Sequence, residues 1–79
     1  MKLIKLIWDF RGPAALQTAK HHVIHLKEYA AAQHLATPVC EHQEITDMHT
    51  VAFLVVTEQE MPAVRDALKP HRGTLYQEK

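Results

Sequence analysis

A chain of 79 residues, 47% of them hydrophobic, has the length for one domain and not two, and only a thin core. Nine Lys and Arg balance nine Asp and Glu, and no segment concentrates one sign. This excludes the basic face of a nucleic-acid binder and the polybasic tract of a membrane anchor. The longest strongly apolar run, Val51 to Val56, is too short to cross a bilayer.

Lys2 to Phe10 reads as a strand. Ile4, Leu6, Trp8 and Phe10 fall on one wholly apolar face that should meet helices, and Leu3, Lys5, Ile7 and Asp9 fall on a mixed one. Arg11-Gly12-Pro13 ends the strand and opens a helix, since Pro suits a first turn in which its missing N–H has no partner anyway. From about Pro13 to His34 there is no breaker. Leu16, Ala19, Val23, Leu26 and Ala30 form an apolar stripe, and Gln17, Thr18, His21, His25 and Glu28 lie opposite. Thr37-Pro38 is expected to break the helix, because the residue before Pro avoids helical dihedrals.

Val39 to Ile45 reads as a polar edge strand and Met48 to Thr57 as a central one, apolar on both faces, with the turn at Thr46-Asp47. Glu58 to Leu68 is a second helix with Met61, Val64 and Leu68 on one face, closed by Lys69-Pro70. Thr74 to Glu78 gives a short last strand. The order β-α-β-β-α-β predicts an α+β, ferredoxin-like domain spanning residues 1–79: a four-stranded antiparallel sheet with both helices on one face. The first and third strands are then central. The other sheet face is open, and Leu3, Ile7 and one side of the third strand point into it. Burying several such side chains against a second copy contributes on the order of 1.5–3 kcal/mol each, so a homodimer is expected.

Histidine is over-represented, with seven in the chain. His21, His25 and Glu28 share one helical face at i, i+4 and i+7, a spacing that suits two imidazoles and a carboxylate around a transition metal. His22 and Tyr29 flank the apolar stripe, where a cleft can form, and His22 or His25 is the candidate general base. His42, Glu44 and His49 can meet across the hairpin if its turn is at Thr46-Asp47. Trp8, Asp9 and Arg11 lie where the first strand enters the first helix and, with Tyr29, are candidate ligand-binding residues. Cys40, the only cysteine, excludes an internal disulfide and reads as a packed strand residue. No phosphate cradle or catalytic signature is present, and no cofactor is expected.

The first strand, the element order and the helix segment His21-His22-Val23-Ile24-His25-Leu26-Lys27-Glu28-Tyr29 resemble the dimeric α+β barrel superfamily, particularly its YciI-like and stress-responsive members. His25-Leu26 is similar to a His-Leu pair in YciI-like proteins. The resemblance implies a homodimer joined through open sheet faces, with a small-molecule cleft between sheet and helices. The chain departs from the pattern at Ala36-Thr37-Pro38, where Gly-Pro is usual, and lacks an Asp-Pro-Tyr-like segment. Arg11-Gly12-Pro13-Ala14-Ala15-Leu16 is similar to the loop before the first helix of ACT domains, with Gly and Pro reversed, which implies an amino-acid-binding regulatory module as the alternative. Neither resemblance implies nucleic-acid or membrane partners. No apolar stretch of a signal peptide follows Lys2 and Lys5, so a cytoplasmic location is expected.

Overall fold

The computed structural model describes residues 2–36 and 39–76. In chain order these form β1 (Leu3–Arg11), α1 (Ala15–Ala32), β2 (Cys40–Thr46), β3 (His49–Thr57), α2 (Met61–Leu68) and β4 (Arg72–Tyr76). The strands make one antiparallel sheet in the order β2-β3-β1-β4, the α+β ferredoxin-like arrangement. The two strands richest in apolar residues, β1 and β3, occupy the centre, where both faces of a strand lose contact with water. None of the described helices is long and apolar enough to cross a membrane.

The expected helix-facing side of β1 is the observed one. Leu6 and Trp8 pack with Ala19, Val23, Leu26 and Ala30 of α1, Cys40 of β2, Ala52, Leu54 and Val56 of β3, and Val64 of α2, with Ile4 and Phe10 at the margin. The indole N–H of Trp8 donates to the carbonyl of Leu68 at 3.0 Å, tying the end of α2 to the central strand. The buried stripe of α1 opens on Ala15 rather than Leu16, which is only partly covered.

Element ends differ from the sequence reading for local reasons. The first helix stops at Ala32, short of the expected His34. His34 adopts φ 53°, its N–H donates to the Ala31 carbonyl, and the Leu35 N–H donates to Ala30. This is a Schellman closure in which a histidine stands where glycine is usual. The proposed breaker, Thr37-Pro38, lies outside the described residues. The second helix begins at Met61 rather than Glu58, and residues 58–60 form a turn ahead of it, held by a reciprocal pair of capping-box type: the Glu60 N–H donates to the Thr57 hydroxyl (3.1 Å) and the Thr57 N–H to the Glu60 carboxylate (3.0 Å). The other Glu60 oxygen accepts the Ala36 N–H at 2.9 Å, so one carboxylate joins the segment after α1 to the segment before α2. Burial pushes the Glu60 carboxyl up, but these backbone N–H donors outweigh it and hold it below the usual range.

The last strand begins at Arg72, two residues earlier than expected; the expected end at Glu78 lies outside the described residues. Gly73 fits there because it sits opposite Leu6, where a Cβ would come within 3.3 Å of a Leu6 methyl. The hairpin turns at Asp47-Met48, not Thr46-Asp47, and a bulge between Glu44 and Thr46 absorbs Ile45. In the resulting register His42 and Glu44 pair with Ala52 and Thr50 on the helix-bearing face, whereas His49 sits with Val51 on the other. Those three side chains therefore do not meet.

Candidate functional site

The face without helices carries Leu3, Lys5, Ile7, Asp9 and Arg11 from β1, flanked by His49, Val51, Phe53, Val55 and Thr57 of β3. Its middle is drier than an uncovered sheet suggests: Ile7, Val51 and Val55 are 7%, 3% and 0% exposed. Beside them the Lys5 ammonium lies over the Phe53 ring, 4.2 Å from its centre. Apolar side chains still open on this side include Leu3, Phe53 and Tyr76 and, beside the β2 edge, Val39, 37% exposed. The gain expected from burying Ile7 against a second copy is thus already made within the chain, and the remaining apolar gain falls to side chains such as these.

At one end of the face, three strands converge on Asp9. Its carboxylate accepts the His49 Nε2–H at 2.8 Å and a two-point contact from the Arg72 guanidinium at 3.0 and 3.1 Å. The side chains of Asp9 and His49 are only 18% and 14% exposed, so the pair is largely withdrawn from water. Arg72 holds the Asp9 carboxyl below the usual carboxylate range; partial burial opposes this and His49 adds to it. The backbone N–H of Asp9 donates to His71 Nδ1 at 2.8 Å, where the β4 ladder has ended. Chemically, the Asp9 carboxylate orients the His49 ring through its Nε2–H, the arrangement that turns Nδ1 away from the carboxylate. Arg11, directly opposite His49 in the β1–β3 register, supplies a second cation at this end of the face.

The four expected ligand-binding residues do not form one site. Trp8 and Asp9 point to opposite faces of the sheet by strand alternation, and Trp8 is 3% exposed within the core. Tyr29 lies on α1, half-buried against that core. Asp9 takes Arg72 rather than Arg11 as its partner. His71 and Arg72 had no visible role in the sequence, and His49 was read only with His42 and Glu44 across the hairpin, because each reaches Asp9 from 40 or more positions away through the pairing of the strands.

The two candidate bases differ. His22 packs with Trp8 and Phe10, ring centres 5.0 and 5.4 Å away, and its Nε2 is buried with no hydrogen-bond partner among the described residues. Burial, then the proximity of His25 and His71, lowers its pKa and favours the neutral ring. His25 points outward with a side chain 60% exposed. Of the expected metal trio, His21 and His25 approach Nε2 to Nε2 at 3.1 Å, but Glu28 stands 3.4 Å from the other ring nitrogen of His25. The three side chains meet in pairs, not around one point, and among the described residues no group of three such side chains is arranged to hold a metal. Cys40 is buried, its thiol directed at the Val23 carbonyl, and burial pushes its pKa up to about 11. No protein-family profile, curated protein or solved structure matches the chain.

Proposed function

We propose that this protein works as a homodimer joined through the helix-free faces of its two sheets, enclosing a small-molecule cleft bordered by the Asp9 cluster, in the manner of the dimeric α+β barrel superfamily. The observation that carries the reading is a four-stranded sheet whose helices pack on one face, with no second layer of the described chain over the other and with Leu3, Phe53 and Tyr76 still partly open there. Its occupant is a second copy because charge is graded across the face. Glu41 lies at the β2 edge, and Lys5 and Arg72 lie on the β1–β4 side. A twofold axis parallel to the strands lays each β2 edge over the other copy's β4 edge, which brings opposite charges together. Arg11 and the Arg72–Asp9–His49 group then sit at the mouth of the cleft and favour an anionic ligand. A free, unreactive thiol at Cys40 suits a cytoplasmic setting.

An enzymatic version of this reading assigns the base to His49. Asp9 orients its ring, whereas His25 faces bulk water and His22 is sealed between aromatic rings. Light scattering on the wild type and on Phe53→Asp tests the dimer. The wild type should show twice the 9.1 kDa chain mass and the variant a folded monomer. A wild type that stays monomeric at high micromolar concentration sinks the proposal.

A further inference from the structure

The outward face of α1 carries a second arrangement, independent of the sheet face. His21 and His25, one turn apart, bring their Nε2 atoms to 3.1 Å, with ring centres 4.7 Å apart and planes at 79°. Two neutral imidazoles reach this distance when one Nε2 carries a proton and the other offers a lone pair. Glu28 decides which is which. Its carboxylate lies 3.4 Å from His25 Nδ1, so it favours the proton there and leaves His25 Nε2 as the acceptor, with His21 as donor.

The geometry points to a two-point chelate for a divalent late transition-metal ion, Cu2+ above Ni2+ and Zn2+, formed by His21 Nε2 and His25 Nε2, with Glu28 orienting His25 from its far nitrogen. Two nitrogens 3.1 Å apart, each about 2.0–2.1 Å from one ion, subtend about 95–102° at it, which fits adjacent positions of a tetragonal or tetrahedral shell. The proton balance is simple. His21 moves its ring proton from Nε2 to Nδ1 by exchange with water, a small rotation turns the freed lone pair from the His25 nitrogen toward the ion, and no net proton is released from neutral rings. Water fills the remaining coordination positions, since both histidines are exposed. The carboxylate on the non-coordinating nitrogen is the partner that metal-bound histidines commonly use.

The test is calorimetry with Cu2+ as chloride on the full chain, with the copper-broadened histidine resonances followed by NMR. The expected result is one ion per chain, with His21 and His25 broadened first. His21→Ala and His25→Ala should each weaken binding at least tenfold, and Glu28→Gln less. All three positions are solvent-exposed, so circular dichroism should show the wild-type fold in each variant. Wild-type affinity in either histidine variant, or broadening that begins at another histidine such as His49 or His71, overturns the assignment.

Discussion

Replacing Asp9 with alanine isolates the cluster on the open sheet face. The substitution leaves the His49 Nε2–H, on a side chain 14% exposed, without its acceptor. An unsatisfied donor of that kind costs about 1–3 kcal/mol. Arg72 is 56% exposed and regains water, so its lost ion pair adds only about 0–1 kcal/mol. The sum is about 1–4 kcal/mol, which for a domain of this length lowers Tm by roughly 4–32 °C. Urea and thermal unfolding at one fixed protein concentration measure it, since any self-association couples stability to concentration. Asp9→Asn, which keeps an oxygen for His49, should lose less, and Arg72→Ala less again. In a double-mutant cycle Asp9→Ala and His49→Ala should couple by about 1 kcal/mol or more. If Asp9→Ala costs no more than Arg72→Ala, the cluster is a surface ion pair and the reasoning fails.

His34→Gly should stabilise the fold by about 0.5–1 kcal/mol, because glycine meets the left-handed C-terminal position of α1 without a Cβ penalty; a destabilised variant in urea melts would contradict the closure described. Thr57→Ala removes one arm of the capping box and should cost about 1 kcal/mol in the same assay. Cys40, with a pKa of about 11, has only about one thiol in a thousand ionised at pH 8, so native protein should react slowly with a disulfide reagent and urea should accelerate the reaction; rapid native labelling would refute its burial. His22 is held below its unfolded pKa, so its contribution is fully present above pH ~6.5 and is lost as pH falls through its folded value. Stability should therefore drop below pH ~6.5 more steeply in the wild type than in His22→Leu. Asp9, also depressed, acts in a separate window, losing its contribution only below pH ~3.9.

The fold was legible in the sequence because it rests on periodicity. Alternation in β1, the two-sided apolar run of β3 and the α1 stripe each fix which side of an element is buried, and together they place β1 and β3 at the centre of the sheet. Element ends were less legible, since they depend on single hydrogen bonds: His34 in a left-handed turn, and Glu60 reaching back to Thr57 and across to Ala36. Of the site, Asp9 and Arg11 were visible as polar residues of the first strand and its exit, His49 was visible only as a partner of His42 and Glu44, and Arg72 was not visible at all. The bulge at Ile45 and the early start of β4 set the registers of those strands, and neither has a turn signal in the sequence. Helix spacing puts His21, His25 and Glu28 on one face, yet it does not say which ring nitrogen faces which neighbour, and the three meet only in pairs.

The proposed dimer brings two copies face to face with their β2 edges over one another's β4 edges. An isotope-filtered NOE experiment on a mixture of labelled and unlabelled protein tests it most directly. The account predicts intermolecular contacts from the Phe53 ring and from Leu3 and Tyr76 on the open sheet face. Contacts from Ile24 on the outer side of α1 instead, or no intermolecular contacts at millimolar concentration, would contradict it.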